Sequence, residues 1–220
     1  MQAIILDFDG LILDTETPLY RSWQEVCEAQ GVPMDHAWWA VRLTAQSEPP
    51  EAFALLEEHS SIPFNGDQLR QSRSARELEL IEAQTVLPGV VELISQAKAL
   101  SLKVGIASNS ERTWVTGHLS RLSLLGQIDQ IRCRDDVLHP KPYPDSYLAV
   151  MEALDVPLQQ ALAFEDSPVG VSAAKAAGLF CIAVPNPVTR GLNFASADLI
   201  LPSLAGVSLA DLIQTVTGQR

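Results

Sequence analysis

The sequence predicts an α/β protein with a parallel β-sheet, into which a helical segment is inserted after the first strand. Short apolar runs bounded by polar residues, Gly or Pro recur along the chain, and each has the length of a strand. They lie at residues 3–6, 103–107, 161–164, 180–184 and 198–201. Segments with helical spacing lie between them. This alternation, with nearly continuous apolar strands, is typical of a parallel sheet covered on both faces.

The helical segments carry start and stop signals. Apolar residues recur at helical spacing in residues 90–97, after a Pro-Gly pair, and in residues 147–154, after a Pro-Asp pair. The segment SPVGVSAAKAAG predicts a helix with Ser167 as its N-cap, Pro168 at its first position and Gly178 just beyond its end.

The alternation stops in residues 16–86, where helical patterns such as EAFALLEEH and LRQSRSARELELIEAQ occur without a strand-like run. We therefore predict two domains: an α/β core made of residues 1–15 and 87–220, and a helical cap made of residues 16–86. Residues 86–89 would be the return linker. Asp14 is expected to be structural, and Thr15 to cap the turn that leads into the insert.

Composition restricts the partners. The formal net charge of −12 argues against a nucleic-acid surface, which needs basic residues to meet phosphates. No apolar run approaches the roughly 20 residues of a membrane span, and the first residues lack the pattern of a signal peptide. Three widely spaced cysteines predict no disulfide framework and favour a reducing compartment. We expect a cytoplasmic protein that binds neither nucleic acid nor membranes, as a monomer or weak homo-oligomer.

Two carboxylates end the first predicted strand. Asp7 and Asp9 are two positions apart, so in an extended chain they point the same way and repel unless a cation or a shared proton intervenes. Alone, the pattern Asp-x-Asp-Gly is more often a turn. The other motifs of the chain are needed to distinguish a turn from a pair of carboxylates that binds a cation or shares a proton.

Other polar residues follow the later strands. Ser108 and Asn109 come after the run at 103–107, Glu165 and Asp166 after the run at 161–164, and Lys141 lies in a proline-stiffened loop between them. Ligands of open parallel sheets bind beyond the carboxyl ends of the strands. Acids, a hydroxyl, an amide and a lysine at one edge suit a divalent cation together with a phosphate.

The motifs DFDGLILDTE, ASNS, KPYPD and FEDSPVGVSAAKAAG resemble, in order, the four motifs of the haloacid dehalogenase-like superfamily. They are most similar to its β-phosphoglucomutase-like branch of phosphatases and mutases. The resemblance covers the whole α/β region and has the helical insert in the expected place. It implies a Rossmann-like, doubly wound core with a mobile helical cap.

The resemblance also implies roles for individual residues. Asp7 matches the nucleophile that becomes an aspartyl-phosphate, and Asp9 matches the general acid/base. Ser108 matches the hydroxyl that binds phosphate, with help from Asn109. Lys141 matches the lysine that steadies the nucleophile and the phosphoryl group.

A Mg²⁺ site is implied as well, made of Asp7, the backbone carbonyl of Asp9, and Asp166, with Glu165 beside it. We therefore expect a magnesium-dependent phosphohydrolase that acts on a small phosphorylated metabolite, similar to a sugar or polyol phosphate, through an aspartyl-phosphate intermediate.

Other reactions of the superfamily fit this sequence less well. The dehalogenases of the superfamily lack the second catalytic acid, so Asp9 argues against dehalogenation. Phosphonate cleavage uses a lysine of the cap, and residues 16–86 contain no lysine. A β-phosphoglucomutase-like mutase is the alternative, but it usually has a cap histidine where this chain has Leu19-Tyr20. A catalytically idle regulatory or binding module is a third hypothesis. The arginines of the cap are expected to form a solvated face, with one of Arg42, Arg70 or Arg73 as the candidate that contacts the substrate.

Overall fold

A sheet of parallel strands forms the centre of the protein in the computed structural model, which describes residues 1–34, 39 and 50–218. Within these residues, the strands are β1 (Ala3–Leu6), β2 (Lys103–Ala107), β3 (Gln130–Arg132), β4 (Ala161–Glu165), β5 (Phe180–Ala183) and β6 (Leu199–Ile200). Their order is β3-β2-β1-β4-β5-β6, and every pairing is parallel. The predicted α/β fold class, a Rossmann-like sheet with helices, is confirmed.

Helices connect the strands. They are α1 (Glu16–Ala29), α2 (Pro50–His59), α3 (Gly66–Glu82), α4 (Val90–Ala99), α5 (Arg112–Arg121), α6 (Asp145–Leu154), α7 (Pro168–Ala176) and α8 (Leu209–Gly218). Successive side chains of β1 enter opposite cores: Ile4 and Leu6 pack into one cluster, and Ala3 and Ile5 into the other. Both faces of the sheet are therefore buried, as the continuous apolar strands predict.

Local signals in the sequence agree with the structure in part. Ser167 caps α7, since its hydroxyl accepts a hydrogen bond from the Gly170 amide at 3.1 Å. Strand β3 was not predicted, because only Ile131 of its three residues is buried and no apolar run marks it. Such a short edge strand forms by pairing with β2 rather than through its own hydrophobic pattern.

Helices α1 to α3 follow β1 and pack around a separate apolar cluster, which includes Leu19, Trp23 and Leu56 together with Val188 from the segment after β5. The two connections to the sheet run side by side: Leu13 forms an antiparallel bridge with Val86. The domain boundaries at residues 15 and 87 stay a prediction. In the part of the chain that the structure describes, no helix combines the length and the apolar character needed to cross a bilayer.

Candidate active site

The carboxyl ends of β1 and β4 bring the acidic residues together. Leu6 pairs with Phe164 in the parallel register, and the Asp7 amide donates to the Phe164 carbonyl at 3.0 Å. Carboxylate oxygens of Asp7, Glu165 and Asp166 consequently lie within 4.8 Å of one another. The register of two adjacent strands thus creates the acidic cluster that the sequence predicts at this edge.

Lys141 is the counter-charge of this cluster. Its ammonium donates to Asp7 Oδ1 at 2.6 Å and to Glu165 Oε1 at 2.5 Å, and Tyr147 donates to the same Glu165 oxygen at 2.6 Å. All four side chains are buried. The side chain of Asn109 holds the lysine backbone, donating to the Lys141 carbonyl at 3.1 Å and accepting from its amide at 2.7 Å.

Asp9 is held by three donors. Ser110 Oγ donates to Asp9 Oδ2 at 2.7 Å and Ser108 Oγ to the same oxygen at 3.3 Å, while the Trp114 indole donates to Oδ1 at 3.0 Å. Sequence reasoning missed Trp114. The one available signal was its place in the first turn of the helix that follows the ASNS motif.

Asp166 is held from the other side of the site. The Asn186 side-chain amide donates to Asp166 Oδ2 at 2.7 Å, and the Thr189 hydroxyl donates to the Asp166 carbonyl at 2.7 Å. Gly10 lies under this carboxylate with φ +78°, and a Cβ there would fall 2.1 Å from Asp166 Oδ2. The glycine of the Asp-x-Asp-Gly motif is therefore needed for both its backbone conformation and its lack of a side chain.

Electrostatics favour a cation at this cluster. Burial raises the pKa of Asp7 to about 8, and repulsion from Glu165 and Asp9 adds to it, against the opposite effect of Lys141. Burial, followed by repulsion from Asp7 and Glu165, raises the pKa of Asp166 well above its usual range. Burial opposes the charge of Lys141, but attraction to Asp7 and Glu165 outweighs it and raises the lysine pKa. One ammonium does not balance three buried carboxylates, and their hard oxygen donors can hold a divalent metal ion.

A cavity of about 590 Å³ opens above these residues. Asp7, Asp9, Lys141 and Asp166 line its floor. From the helical insert and the segment that leads into it, the cavity is lined by Thr15, Glu16, Leu19, Glu77 and Ile81. The cavity is large enough for a small phosphorylated metabolite.

The predicted substrate arginines have other contacts. Arg73 is buried, donates to Glu77 at 2.5 Å and lies over the Trp23 ring. Arg70 lies over the Phe53 ring at 3.9 Å. Among the described residues, neither arginine lines the cavity, and Arg42 falls outside them.

The expected role of Thr15 as a cap is wrong. The Thr15 hydroxyl makes no capping hydrogen bond, and Asp14 Oδ1 instead accepts from the Thr17 amide at 2.9 Å. Asp14, expected to be structural, therefore caps α1 in place of Thr15. Its carboxylate lies one residue earlier and still accepts a backbone hydrogen bond from the first turn of the helix.

Comparison with known families agrees with this geometry. The family model described as "Haloacid dehalogenase-like hydrolase" matches residues 4–184. The chain belongs to this family. The predicted resemblance and enzyme class are thereby confirmed, since the relatives include proteins named as a phosphatase and as a β-phosphoglucomutase.

Individual relatives span nearly the whole chain. This haloacid dehalogenase-like protein is 41% identical to "Putative phosphatase YhcW" of Bacillus subtilis, with 100% of both chains covered. It is 27% identical to β-phosphoglucomutase of Bacillus subtilis, covering 95% of this chain and 92% of that one. Its structure is similar to that of CbbY from Rhodobacter sphaeroides in complex with xylulose 1,5-bisphosphate, at 30% identity and a TM-score of 0.71, covering 96% and 99% of the two chains.

Proposed function

We propose that the protein is a magnesium-dependent phosphohydrolase that removes phosphate from a small phosphorylated sugar or polyol through an aspartyl-phosphate on Asp7. The observation that carries the proposal is the buried ion pair of Lys141 with Asp7 and Glu165 on the floor of the cavity. A carboxylate fixed beside an ammonium is oriented to attack a phosphoryl group, whose negative charge the ammonium also offsets. The relatives named above support the substrate class.

Mg²⁺ fits the donors of this site. We assign its ligands to the carboxylates of Asp7 and Asp166 and the backbone carbonyl of Asp9. Glu165 shares one oxygen with Lys141 and Tyr147, which favours a role in holding the lysine beside the metal site. When bound, Mg²⁺ supplies charge neutralisation and polarises the phosphoryl oxygens.

The proposed reaction has two steps: transfer of the phosphoryl group to Asp7, and hydrolysis of the aspartyl-phosphate. Asp7 attacks phosphorus, the ester bond breaks, and protonated Asp9 gives its proton to the leaving oxygen. Ser108 and Lys141 donate to the phosphoryl oxygens during this step. A water molecule then attacks the aspartyl-phosphate, Asp9 takes a proton from it, and inorganic phosphate leaves with Asp7 restored.

Hydrolysis of p-nitrophenyl phosphate with Mg²⁺, and in EDTA, tests the proposal against an idle binding module. We expect turnover only with the metal, and Asp7→Asn should abolish it while the circular dichroism spectrum and melting temperature stay close to wild type. Residual activity above about a tenth of wild type would refute the covalent mechanism, since the nucleophile is worth far more than that.

The phosphomutase is the second candidate, because a β-phosphoglucomutase is among the relatives. Leu19 is the observation that favours hydrolysis: this apolar side chain lines the cavity where the mutase branch usually has histidine. We expect phosphate release from sugar-sized monoesters and little conversion of β-glucose 1-phosphate to glucose 6-phosphate, even with a bisphosphate primer. Faster isomerisation than phosphate release, or a gain in transfer to sugar in Leu19→His, would favour the mutase.

A further inference from the structure

The two carboxylate oxygens of Asp166, a proposed Mg²⁺ ligand, have different surroundings. The side-chain amide of Asn186 donates to Asp166 Oδ2 at 2.7 Å. The backbone of Gly10 lies against the same oxygen, so closely that a Cβ there would fall 2.1 Å from it. Asp166 and Asn186 are both buried. One oxygen of this carboxylate is therefore engaged by the protein itself, before any metal ion binds.

Two backbone amides fix the orientation of the Asn186 side chain. The amides of Val188 and Thr189 donate to Asn186 Oδ1 at 2.9 and 3.0 Å. Because a backbone amide can only donate, the side-chain oxygen must face these two groups, and the NH₂ group must face Asp166. Asn186 is thus placed as a donor to the carboxylate. An aspartate in its place would set two carboxylates against each other.

The turn that carries Asn186 is itself held on two sides. The Thr189 hydroxyl accepts from the Asn186 backbone amide at 3.0 Å and donates to the Asp166 carbonyl at 2.7 Å. Val188 is buried in the apolar cluster of the helical insert. A donor in so fixed a turn holds the Asp166 carboxylate in one orientation, and a fixed ligand favours a metal ion with strict geometry.

We propose that Asn186 is a positioning residue that limits Asp166 to one metal-binding oxygen and thereby selects Mg²⁺ over Ca²⁺. The inference rests on the proposed magnesium site and adds the residue that sets its selectivity. Mg²⁺ requires a nearly regular octahedron of oxygens at about 2.0–2.1 Å, whereas Ca²⁺ takes about 6–8 oxygens at longer distances and accepts both oxygens of one carboxylate. The hydrogen bond from Asn186 withholds the second oxygen, which a calcium ion would use.

Metal-dependent stability measures this selectivity without any substrate. Urea unfolding of the metal-free protein at increasing MgCl₂ or CaCl₂, at constant ionic strength, gives the dissociation constant of each ion, because an ion that binds only the folded state stabilises it. The proteins are wild type, Asn186→Ala and Asn186→Asp. Asn193→Ala is the matched control. Asn193 is exposed, does not line the cavity, and its side chain also accepts from a nearby backbone amide, that of Ala195 at 2.9 Å.

In Asn186→Ala, the dissociation constant of Mg²⁺ should rise by about 10-fold or more, as expected when a metal ligand loses the hydrogen bond that orients it. That of Ca²⁺ should rise less, because the freed oxygen can join its coordination. The ratio of the Ca²⁺ to the Mg²⁺ dissociation constant should therefore fall by about 10-fold. Asn193→Ala should keep the wild-type ratio.

Asn186→Asp separates positioning of the ligand from stabilisation of the turn. Aspartate still accepts from the two turn amides but cannot donate to Asp166 when ionised. Its added charge attracts both divalent ions, so the ratio of their dissociation constants is the informative quantity, and it should fall as in the alanine variant. In a second readout at saturating Mg²⁺, the Ca²⁺ concentration that halves hydrolysis of p-nitrophenyl phosphate should fall by about the same factor in both variants.

A wild-type ratio in Asn186→Asp would overturn the inference and leave Asn186 a role in the turn alone. Equal loss of affinity for both ions in Asn186→Ala, or tighter binding of Ca²⁺ than of Mg²⁺ by wild type, would overturn it as well. If the alanine variant does not fold, the aspartate variant carries the test. Wild type that gains no stability from Mg²⁺ would refute the proposed metal site, and this inference with it. Wild type that binds Mg²⁺ selectively but hydrolyses no phosphate ester would refute the proposed function alone.

Discussion

Glu16 should make the stability of the metal-free protein depend on pH, and Glu16→Gln should remove the part of that dependence that Glu16 contributes, leaving the part that comes from Asp7 and Asp166. Burial, followed by repulsion from Asp9, Asp14 and Asp7, raises the pKa of Glu16 from 4.5 to about 8. Between these values the folded protein keeps a proton that the unfolded chain releases. The contribution of Glu16 to the free energy of unfolding therefore decreases as pH rises, by about 1.4 kcal/mol per pH unit.

The difference between Glu16→Gln and wild type follows from that slope. Glutamine is neutral at every pH, so the variant should match wild type near pH 4.5 and become progressively more stable above it. The gain should reach about 3 kcal/mol at pH 7 and level off at about 5 kcal/mol above pH 8, where Glu16 is ionised in both the folded and the unfolded wild type.

Urea unfolding at pH 5, 6, 7 and 8 in EDTA, followed by tryptophan fluorescence, measures this difference. Glu28→Gln, an exposed change on the same helix, should stay within about 0.5 kcal/mol of wild type throughout. A stability difference between Glu16→Gln and wild type that is constant with pH, or that shrinks as pH rises, would refute the assignment of Glu16 as a buried carboxyl with a raised pKa.

Three further changes test the floor of the site. Asp166→Ala should lower activity and move the Mg²⁺ titration to higher concentration, because one of the proposed metal ligands is lost; an unchanged titration would place the metal elsewhere. Trp114→Phe keeps the ring but removes the hydrogen bond to Asp9, so steady-state kinetics should show kcat falling by about 10-fold or more with little change in KM; a rise in KM alone would contradict a role in positioning the acid. Gly10→Ala adds a Cβ 2.1 Å from the Asp166 carboxylate at φ +78°, so chemical unfolding should show a loss of at least about 1–2 kcal/mol together with weaker Mg²⁺ dependence; wild-type stability would contradict the close approach.

Most of the candidate site could be predicted because it depends on short-range signals. Asp7, Glu165 and Asp166 directly follow apolar runs that pair in parallel, and the carboxyl ends of parallel strands meet at one edge whatever the details of packing. The start of α7 was predictable for a similar reason, since Ser167 accepts its capping hydrogen bond from a residue three positions away.

Tertiary structure decided which polar groups meet across long stretches of chain. The Trp114 indole reaches Asp9 across 105 positions, and Asn186, which follows β5 in the chain, reaches Asp166 across 20 positions. Periodicity indicates which face of an element is buried but not which distant side chain faces it, because that depends on where each helix leaves the sheet. The same holds for Thr15 Oγ1 and Glu16 Oε2, which are buried without a partner among the described residues only because the helical insert packs over the sheet edge and closes a cavity around them.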